Sequence, residues 1–576
     1  MHKNTRSTGS CYERKAADYL KQQGLFILRY NYRCRFGEID LIARDGEYLV
    51  FVEVKYRKDN SSGYSLAAII HLGSERVTMQ LIEYTDLYAV TILDEASQTV
   101  RLGEETFKTG RISTETMRAL IDILKGFRRL MKDYGIKDYV LEATTAVREA
   151  RNRTFFLDQV LVKTGFVMDV INLPQEIFRK IASLSYHLES HKKKVEHKGG
   201  HLLVDLSSGA MGFTYVRRGE MEYQQNLHVG LIRMKEYFTR NEQSSIHFGE
   251  ALREYIRANL FPVMQELENK PVESMFISGV ESSYLPRILK KKPDKKGLIK
   301  VGAGDLEEIL LRLRSLSPRQ LTKVYALSEE EADLVLPAAT LYEELIRAAG
   351  SPFVYIVTNR FIDGIRALYI ARQKDPAFMA YMQSIQMSQI RGVARRFGTN
   401  LVHVGLVADL CEAIFKTVAK SEGLDGADLH LLRAAALLHG VGKFFSLRAG
   451  KLYNYELIQA TDFLGFGPDA QQTIASVSYL FSLPSPDALS PEAYDREISA
   501  TPAVAKLAAI LRLADALDVS RKQKITGCRT VMKENQFRVI VTSREDLSLE
   551  RWTFEKQSGF FEEVFGLTPI LEQVER

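Results

Sequence analysis

Apolar and polar residues follow the same plan at two places in the chain. The stretches are AAIIHLGSERVTMQLIEY, which begins at Ala67, and LLVDLSSGAMGFTYVRRG, which begins at Leu202. Each has an apolar run, a short turn of Gly and Ser, and a second apolar run, a pattern that predicts a β-hairpin. A turn of small residues leaves backbone N–H groups open to phosphate oxygens. The repeated plan predicts two lobes that close on a phosphorylated ligand, and a pair of ordinary hairpins is the alternative.

The segment between the hairpins, YVLEATTAVREARN, predicts a strand, a Thr-rich turn and a helix that opens with Arg148. Its part ATTAVREARN resembles the segment Ala-Thr-Ser-Ala-x-Arg-x-Ala-x-Asn of the Ppx/GppA family, which comprises exopolyphosphatases and guanosine pentaphosphate phosphatases. The resemblance implies that Arg148 takes the place of the family's phosphate-site arginine. VINLPQEIFRKI, which begins at Val170, is similar to the family segment that carries the catalytic glutamate, and Glu176 takes that position.

Three turns resemble the phosphate loops of this family. The first lies in IHLGSE, the second in VDLSSGAMG, which begins at Val204, and the third begins at Ser278. The resemblance implies that the turns bind phosphate and that Asp205 is a catalytic residue that helps to hold Mg²⁺, the expected cofactor. The ligand-binding residues implied in this way are Gly73, Ser74, Ser207, Ser208, Gly209, Ser278 and Gly279.

Several positions depart from the family pattern. In the first loop His71 replaces an aspartate and Glu75 replaces an asparagine. In the second loop Gly212 replaces an acidic residue thought to help hold the metal. A carboxylate at a phosphate site repels a polyanion, and Mg²⁺ is usually bound through one or two carboxylates. Phosphoryl transfer depends on such charge neutralisation, so we expect weakened or lost catalysis.

Two classes of function follow from these observations. In the first, the chain is a phosphoanhydride hydrolase of the Ppx/GppA type that removes terminal phosphate from polyphosphate or a guanosine alarmone, with Glu176 as the general base. In the second, it is a non-catalytic relative that binds such a ligand or a protein partner. The family resemblance favours the first class, and the altered loops favour the second.

The resemblance also implies the fold, which is a multidomain arrangement of α/β domains and an α-helical domain. The phosphatase region is expected to have the two-lobed actin/hexokinase-like, or ribonuclease H-like, architecture. The expected regions are residues 67–190 for lobe I, 200–375 for lobe II, 385–535 for a helical domain of the HD type and 536–576 for an α/β tail.

Two amphipathic helices in the C-terminal half resemble the HD-type domain. GTNLVHVGLVADLCEAIF and LHLLRAAALLHGVGKFF have apolar residues at helical spacing. His403 and His439 match histidines of that domain, but Gly440 stands in place of the aspartate that would share a metal ion. We therefore expect both histidines to be buried, hydrogen-bonded helix residues rather than metal ligands. Asp515 and Asp518 of the HD-type pattern are retained.

Residues 1–66 predict a helix followed by strands, with alternating apolar residues in EIDLIA and YLVFVEVKY. Asp40, Glu53 and Lys55 have the spacing of the PD-(D/E)XK nucleases, in which carboxylates hold magnesium and a lysine polarises water. With Glu13 on the leading helix, the segment resembles the YraN family, which implies a restriction-endonuclease-like α/β fold. Its excess of basic residues suits a nucleic-acid partner, although a solvated basic edge strand is the alternative. The match ends near SSGYSLAA, so the segment is expected to be truncated.

Composition adds few constraints. The net charge of the 576 residues is only +6, so basicity is local. The four cysteines are far apart, which indicates neither a disulfide framework nor a zinc site, and no apolar run reaches membrane-spanning length. We expect a cytoplasmic protein of bacterial type with no membrane partner. A homodimer is an assembly compatible with this sequence.

Overall fold

The structure is a computed structural model of the chain. It describes residues 16–21, 24–34, 37–52, 63–188, 199–206, 210–218, 220–243, 245–279, 284–447, 450–483 and 501–575. The chain divides into two compact units, Met1–Ser65 and Leu66–Arg576. Within the described ranges, no helix is both long enough and apolar enough to cross a membrane.

The first unit contains an antiparallel three-stranded sheet preceded by a short helix. Residues 16–21 are helical, and the strands have the spatial order β1-β2-β3. The strands are β1 (Phe26–Cys34), β2 (Gly37–Asp45) and β3 (Tyr48–Val52). Leu41 and Ala43 on β2 are buried, as the alternation in EIDLIA predicts for one face of a strand. The predicted order of a helix followed by strands is confirmed for these residues.

The first predicted hairpin belongs to a five-stranded sheet of order β6-β5-β4-β7-β8. Its strands are β4 (Ser65–Leu72), β5 (Arg76–Tyr84), β6 (Val90–Thr99), β7 (Tyr139–Ala143) and β8 (Asp169–Val170). The central strand β4 is parallel to β7, and its residues 67–70 are all buried. A continuous apolar run of this kind is typical of a strand covered on both faces.

The second predicted hairpin belongs to a six-stranded sheet of order β11-β10-β9-β12-β14-β13. Its strands are β9 (Gly200–Leu206), β10 (Met211–Arg217), β11 (Glu220–Leu227), β12 (Val272–Gly279), β13 (Leu298–Gly302) and β14 (Phe353–Val357). β9 and β10 are antiparallel, whereas β9, β12 and β14 run parallel. In each sheet, three strands that follow one another in the chain lie side by side, β4–β6 in the first and β9–β11 in the second. The first strand of each three pairs in parallel with a later strand, β4 with β7 and β9 with β12. The predicted duplication is therefore confirmed in the order of the strands.

Helices pack against both sheets and complete their cores. In the first half they are α1 (Leu102–Thr109), α2 (Thr114–Asp133), α3 (Thr145–Glu149), α4 (Arg153–Thr164) and α5 (Leu173–Leu188). In the second they are α6 (Leu231–Glu236), α7 (Arg240–Gln243), α8 (Phe248–Leu267), α9 (Leu285–Leu289), α10 (Ala303–Arg314), α11 (Pro318–Tyr325), α12 (Glu329–Ala349) and α13 (Phe361–Lys374).

A separate apolar cluster fixes the position of α5, the helix that carries Glu176. Ile69 of β4 packs in this cluster with Ile177 of α5 and Ile365 of α13. Because all three side chains are buried, α5 is held between the first sheet and α13. The N-terminal turns of α5 therefore lie at a defined place beside the first sheet.

The C-terminal part is mainly helical and ends in a small sheet of order β15-β16-β17. Its elements are α14 (Pro376–Arg396), α15 (Leu401–Glu422), α16 (Gly426–Leu438), a 3₁₀ turn (Val441–Phe444), α17 (Gly450–Ala460), α18 (Pro468–Phe481), α19 (Pro502–Ala516), β15 (Gly527–Lys533), β16 (Gln536–Thr542), α20 (Ser548–Phe565) and β17 (Thr568–Val574). Because β15 pairs with β16, the tail sheet starts at Gly527, earlier than the expected boundary at residue 536. Phe537 and Phe554 share a core with the helices, which joins the tail to the helical part.

Candidate functional site

A cavity of about 410 Å³ lies where strands of the two large sheets end. Its lining includes Gly73 and Ser74 after β4, Thr145 after β7, and Ser278 and Gly279 at the end of β12. Parallel strands bring their carboxyl ends to one edge of a sheet, and ligands of α/β proteins commonly bind there. Two of the three predicted phosphate turns therefore meet at one cavity. The remaining predicted residues of the second turn, Ser207, Ser208 and Gly209, lie outside the described residues.

The first turn is held by backbone hydrogen bonds. The Gly73 N–H donates to the Arg76 carbonyl oxygen over 2.9 Å, and the Gly103 N–H donates to the Ser74 carbonyl oxygen over 2.7 Å. Glu75 lines the same cavity and is exposed. The turn thus presents a carboxylate to the cavity, and the Gly73 amide is already used within the hairpin.

Glu176 lies in the first turns of α5 and is almost completely buried. Its Oε2 lies 3.4 Å from Arg148 Nη1 and 3.4 Å from Thr145 Oγ1. Arg148 also donates to the Ile171 carbonyl oxygen over 2.8 Å and to Thr145 Oγ1 over 3.0 Å. The two residues that the sequence places at the phosphate site are therefore adjacent. Glu176 lines the cavity, whereas Arg148 contacts Glu176 from outside the lining.

Asp205, near the end of β9, is buried and both of its oxygens are engaged. Oδ1 accepts a hydrogen bond from Ser278 Oγ over 3.0 Å, and Oδ2 lies 2.5 Å from Lys180 Nζ. The Lys180 ammonium also lies 3.7 Å from Glu176 Oε1. Lys180 was not among the residues predicted from the sequence. It could have been found from its position four residues after Glu176, because that spacing places both side chains on one face of a helix.

Burial and charge act in opposite directions on this buried ion pair. Burial lowers the pKa of Lys180, but the carboxylates of Asp205 and Glu176 outweigh burial and the pKa is raised. Burial raises the pKa of Asp205, and Lys180 offsets only part of that effect. Lys180 therefore stays an ammonium ion at neutral pH and compensates the charge of the buried carboxylates.

His71, at the place of the family's aspartate, is a neutral group. Burial lowers the pKa of His71 to about 4. Its ring lies 4.6 Å from that of Phe361, and its Nε2 is shielded from solvent without a hydrogen-bond partner among the described residues. The neighbouring carboxylate of Glu142 is paired with Arg179, whose Nη2 donates to Oε1 over 2.7 Å. The cavity lining therefore includes a neutral imidazole at the position of the family's aspartate.

The expected Mg²⁺ does not fit these side chains. One oxygen of Asp205 is taken by an ammonium ion and the other by a hydroxyl donor. Gly212 pairs with Asp205 across β9 and β10 and offers no ligand atom. Mg²⁺ demands near-octahedral oxygen coordination and usually binds through one or two carboxylates, whereas Asp205, as it is paired among the described residues, offers it no free oxygen.

The two histidines of the helical part lie together with two aspartates. His403 Nδ1 lies 2.8 Å from Asp518 Oδ2, and His403 Nε2 lies 3.0 Å from Asp515 Oδ1. His439 Nδ1 donates to the Ala436 carbonyl oxygen over 2.6 Å, and its Nε2 lies 3.3 Å from Asp515 Oδ1. Burial would raise the pKa of Asp515, but hydrogen bonds from the two histidines outweigh it and lower the pKa well below its usual range.

Both histidines are therefore buried and hydrogen-bonded. Their ligand atoms and one of Asp515 lie within 4.8 Å of one another, close enough to hold a metal ion. The sequence shows that Asp515 of the HD-type pattern is retained. It does not show that Asp515 contacts both histidines, because this aspartate is more than a hundred residues from His403 along the chain.

The residues of the nuclease-like pattern are only partly described. Asp40 lies on β2 and is half-buried. Glu13, Glu53 and Lys55 lie outside the described residues.

Comparison with known protein families agrees with both resemblances. Residues 81–351 match the Ppx/GppA phosphatase family, and residues 385–558 match domain III of Ppx/GppA phosphatases. Residues 12–102 match the uncharacterised protein family UPF0102, which is of the YraN type. The chain belongs to the Ppx/GppA phosphatase family and carries a UPF0102 region. The matches to the two families overlap over residues 81–102.

Among curated relatives, a UPF0102 protein of Lachnoclostridium phytofermentans is 49% identical over 75 residues, which cover 13% of this chain and 64% of that protein. A UPF0102 protein of Legionella pneumophila is 41% identical over 86 residues, which cover 15% of this chain and 73% of that protein. A Vibrio cholerae relative is 50% identical over 66 residues, which cover 12% of this chain and 54% of that protein. These relatives are thus matched over 54% to 73% of their own length.

Solved structures of the phosphatase family are more distant in sequence. The Ppx/GppA family member of Aquifex aeolicus is 17% identical, with a TM-score of 0.46 over 54% of this chain and 99% of that one. An exopolyphosphatase from Cytophaga hutchinsonii is 18% identical, with the same TM-score of 0.46 over 54% of this chain and 99% of that one.

Proposed function

We propose that the protein binds phosphoanhydride chains of the polyphosphate or guanosine-alarmone class and slowly hydrolyses their terminal phosphate. The observation that carries the proposal is the buried carboxylate of Glu176 at the wall of a cavity into which the turns after β4 and β12 open. Membership in the Ppx/GppA family supports the substrate class. The cavity of about 410 Å³ is large enough for several phosphate groups.

In the proposed reaction, Glu176 accepts a proton from a water molecule that attacks the terminal phosphorus. The bond from that phosphorus to its bridging oxygen breaks, and the products are orthophosphate and a chain shortened by one phosphate. The hydroxyls of Ser74 and Ser278 line the cavity and suit hydrogen bonds to phosphate oxygens.

The same contacts account for slow turnover. Arg148 and Thr145 lie 3.4 Å from one oxygen of Glu176, and Lys180 lies 3.7 Å from the other. Both oxygens of Glu176 therefore already have polar neighbours, and an attacking water molecule must compete with them for the carboxylate. Glu75 also lines the cavity, where a polyanionic substrate would meet its carboxylate.

The test is orthophosphate release from tripolyphosphate by the full chain, in EDTA and in Mg²⁺. We expect slow release that Glu176→Gln lowers by about 10²–10⁴-fold, because the amide cannot accept the proton. Glu308→Gln, on the exposed face of α10, is the matched control and should keep the activity. Release that is equal in the parent and Glu176→Gln would remove Glu176 from the reaction and overturn the hydrolase proposal.

A second candidate is a binding protein without turnover. The pairing of Asp205 with Lys180 favours it, since both oxygens of this carboxylate are already occupied. Tripolyphosphate binding measured by calorimetry, without phosphate release above the Glu176→Gln background, would support this candidate over the hydrolase.

A further inference from the structure

The side chain of Lys180 links the two buried carboxylates of the cleft. Lys180 follows Glu176 by one helical turn on α5 and is itself only 17% exposed. Its ammonium lies 2.5 Å from Asp205 Oδ2 and 3.7 Å from Glu176 Oε1. Asp205 comes from β9 of the second sheet, so one cation connects the two halves of the cleft.

Each of three buried carboxylates beside the cleft contacts a cationic side chain. Glu142 is paired with Arg179, and Glu176 contacts Arg148. Lys180 supplies the remaining positive charge for Asp205. An ionised carboxylate that is buried without a cation is strongly destabilising, and Lys180 is the cation that contacts Asp205.

The strand beside Asp205 leaves little room for a further metal-binding side chain. Gly212 lies directly opposite Asp205 on β10, where side chains of a cross-strand pair are close neighbours. A Cβ at position 212 would lie 2.9 Å from Ile177 Cδ1 and 3.5 Å from Asn226 Oδ1. A side chain at position 212 would thus have to displace the end of the Ile177 side chain.

Lys180 also faces the ligand space. It lines the cavity together with Ser74, Thr145 and Ser278. An ammonium group has three N–H donors, and the hydrogen bond to Asp205 Oδ2 uses one of them, so donors remain for a ligand oxygen. Its position between the turns of the two sheets is suited to an oxyanion that contacts both turns.

We propose that the Lys180 ammonium takes the place of a divalent cation in this cleft, so that the cleft binds phosphoanhydride oxyanions without metal. The proposal has two parts. The ligand class rests on the proposed function, whereas the statement that Lys180 keeps metal from Asp205 does not. Each part is therefore tested by its own measurement on the full chain.

The first measurement is Mn²⁺ binding, which is monitored as the decrease in the electron paramagnetic resonance signal of free Mn²⁺. We expect Asp205→Asn to leave Mn²⁺ binding of the parent unchanged, because Lys180 occupies the carboxylate. Lys180→Met should gain a Mn²⁺ site that the double variant Lys180→Met/Asp205→Asn lacks. A Mn²⁺ site in the parent that Asp205→Asn removes would overturn the proposal, whether or not the chain binds phosphate.

The second measurement is tripolyphosphate binding by calorimetry in EDTA and in Mg²⁺. The parent should bind equally in both, and Lys180→Met should bind about tenfold or more weakly in EDTA, because a charge-assisted contact is lost. Lys163→Met removes an exposed lysine of α4 outside the cavity lining and should bind like the parent. Binding by the parent that requires Mg²⁺ would overturn the proposal.

Two outcomes separate this inference from the proposed function. If the parent binds no tripolyphosphate in either buffer, the ligand class is wrong, and the Mn²⁺ comparison still decides the role of Lys180. If Lys180→Met fails to fold, the double variant Lys180→Met/Asp205→Asn removes both charges of the pair and takes its place in the calorimetry. The double variant should then show the same loss of binding in EDTA, and binding equal to that of the parent would count against Lys180.

Discussion

Gly364 of α13 lies directly against the backbone of Arg179 of α5. A Cβ built at Gly364 would collide with the carbonyl oxygen of Arg179, and it would lie 3.2 Å from the backbone nitrogen of Ser183. Because α5 also carries Glu176 and Lys180, this close crossing helps to set where the charged side chains of the cleft lie. A side chain at position 364 would have to push the two helices apart.

We therefore predict that Gly364→Ala destabilises the fold by about 1–3 kcal/mol or more, because a methyl group is forced against backbone that cannot move independently. The measurement is the free energy of unfolding from urea denaturation. Gly405→Ala in α15 is the control, since nothing lies within 4 Å of a Cβ there. It should be neutral or stabilising by about 0.5–1 kcal/mol, as expected for a helix interior. Equal effects of the two substitutions would contradict the role of the helix crossing.

A second prediction concerns the buried pair of Glu142 and Arg179. Arg179 donates to both carboxylate oxygens, with Nε 3.0 Å from Oε2 and Nη2 2.7 Å from Oε1. Either Glu142→Met or Arg179→Met alone should cost about 3–5 kcal/mol, because each leaves an uncompensated buried charge. The double substitution should cost clearly less than the sum, which a double-mutant cycle of unfolding free energies measures. Additive costs would mean that the two side chains do not stabilise each other.

The local pattern of apolar and small residues was enough to predict the strands at the cleft. It did not predict which charged side chains pair there. The runs before Gly73 and after Leu202 predict hairpins because alternation and small-residue turns act over a few residues, and the strands are found there. The contact of Lys180 with Asp205 joins residues that the folding of two sheets brings together, so no spacing rule reveals it. Lys180 makes a second contact, with Glu176 four residues earlier, and that local spacing was visible in the sequence.

The helical part shows the same limit. The spacing of apolar residues predicts helices around His403 and His439, and both lie in or next to helices. Asp515 joins them only because α19 packs against the helices that carry them, a tertiary arrangement set by the shared apolar core. Apolar periodicity identifies the buried face of a helix without specifying which polar residues meet inside the core.

The pH dependence of stability should report His71. Its pKa is about 4 in the folded chain, compared with 6.5 ordinarily. As pH falls below 6.5, the unfolded chain takes up a proton at this ring before the folded chain does, so stability is lost between pH 6.5 and about 4. His71→Gln should remove about 1–3 kcal/mol of that loss, measured as unfolding free energy at pH 7 and pH 4.5.

His247→Gln provides the control for that measurement, because His247 is exposed at the start of α8. It should leave the difference in stability between pH 7 and pH 4.5 as in the parent. His430, whose pKa burial also lowers to about 4, remains in both variants and supplies a pH dependence of the same sign. If the stability of His71→Gln depended on pH as strongly as that of the parent, the His71 ring of the folded parent would have to be protonated already at pH 4.5.

The last prediction concerns where the phosphatase fold begins. The match to UPF0102 runs to residue 102, whereas the second compact unit begins at Leu66 and β4 at Ser65. Since β4 pairs with β7 and its residues 67–70 are buried, we predict that a chain without residues 1–64 folds and keeps the unfolding free energy of this unit within about 0.5 kcal/mol. A chain without residues 1–72 lacks the central strand and should not fold. Circular dichroism and urea denaturation compare the two, and loss of structure in the shorter deletion would show that β4 needs the preceding segment.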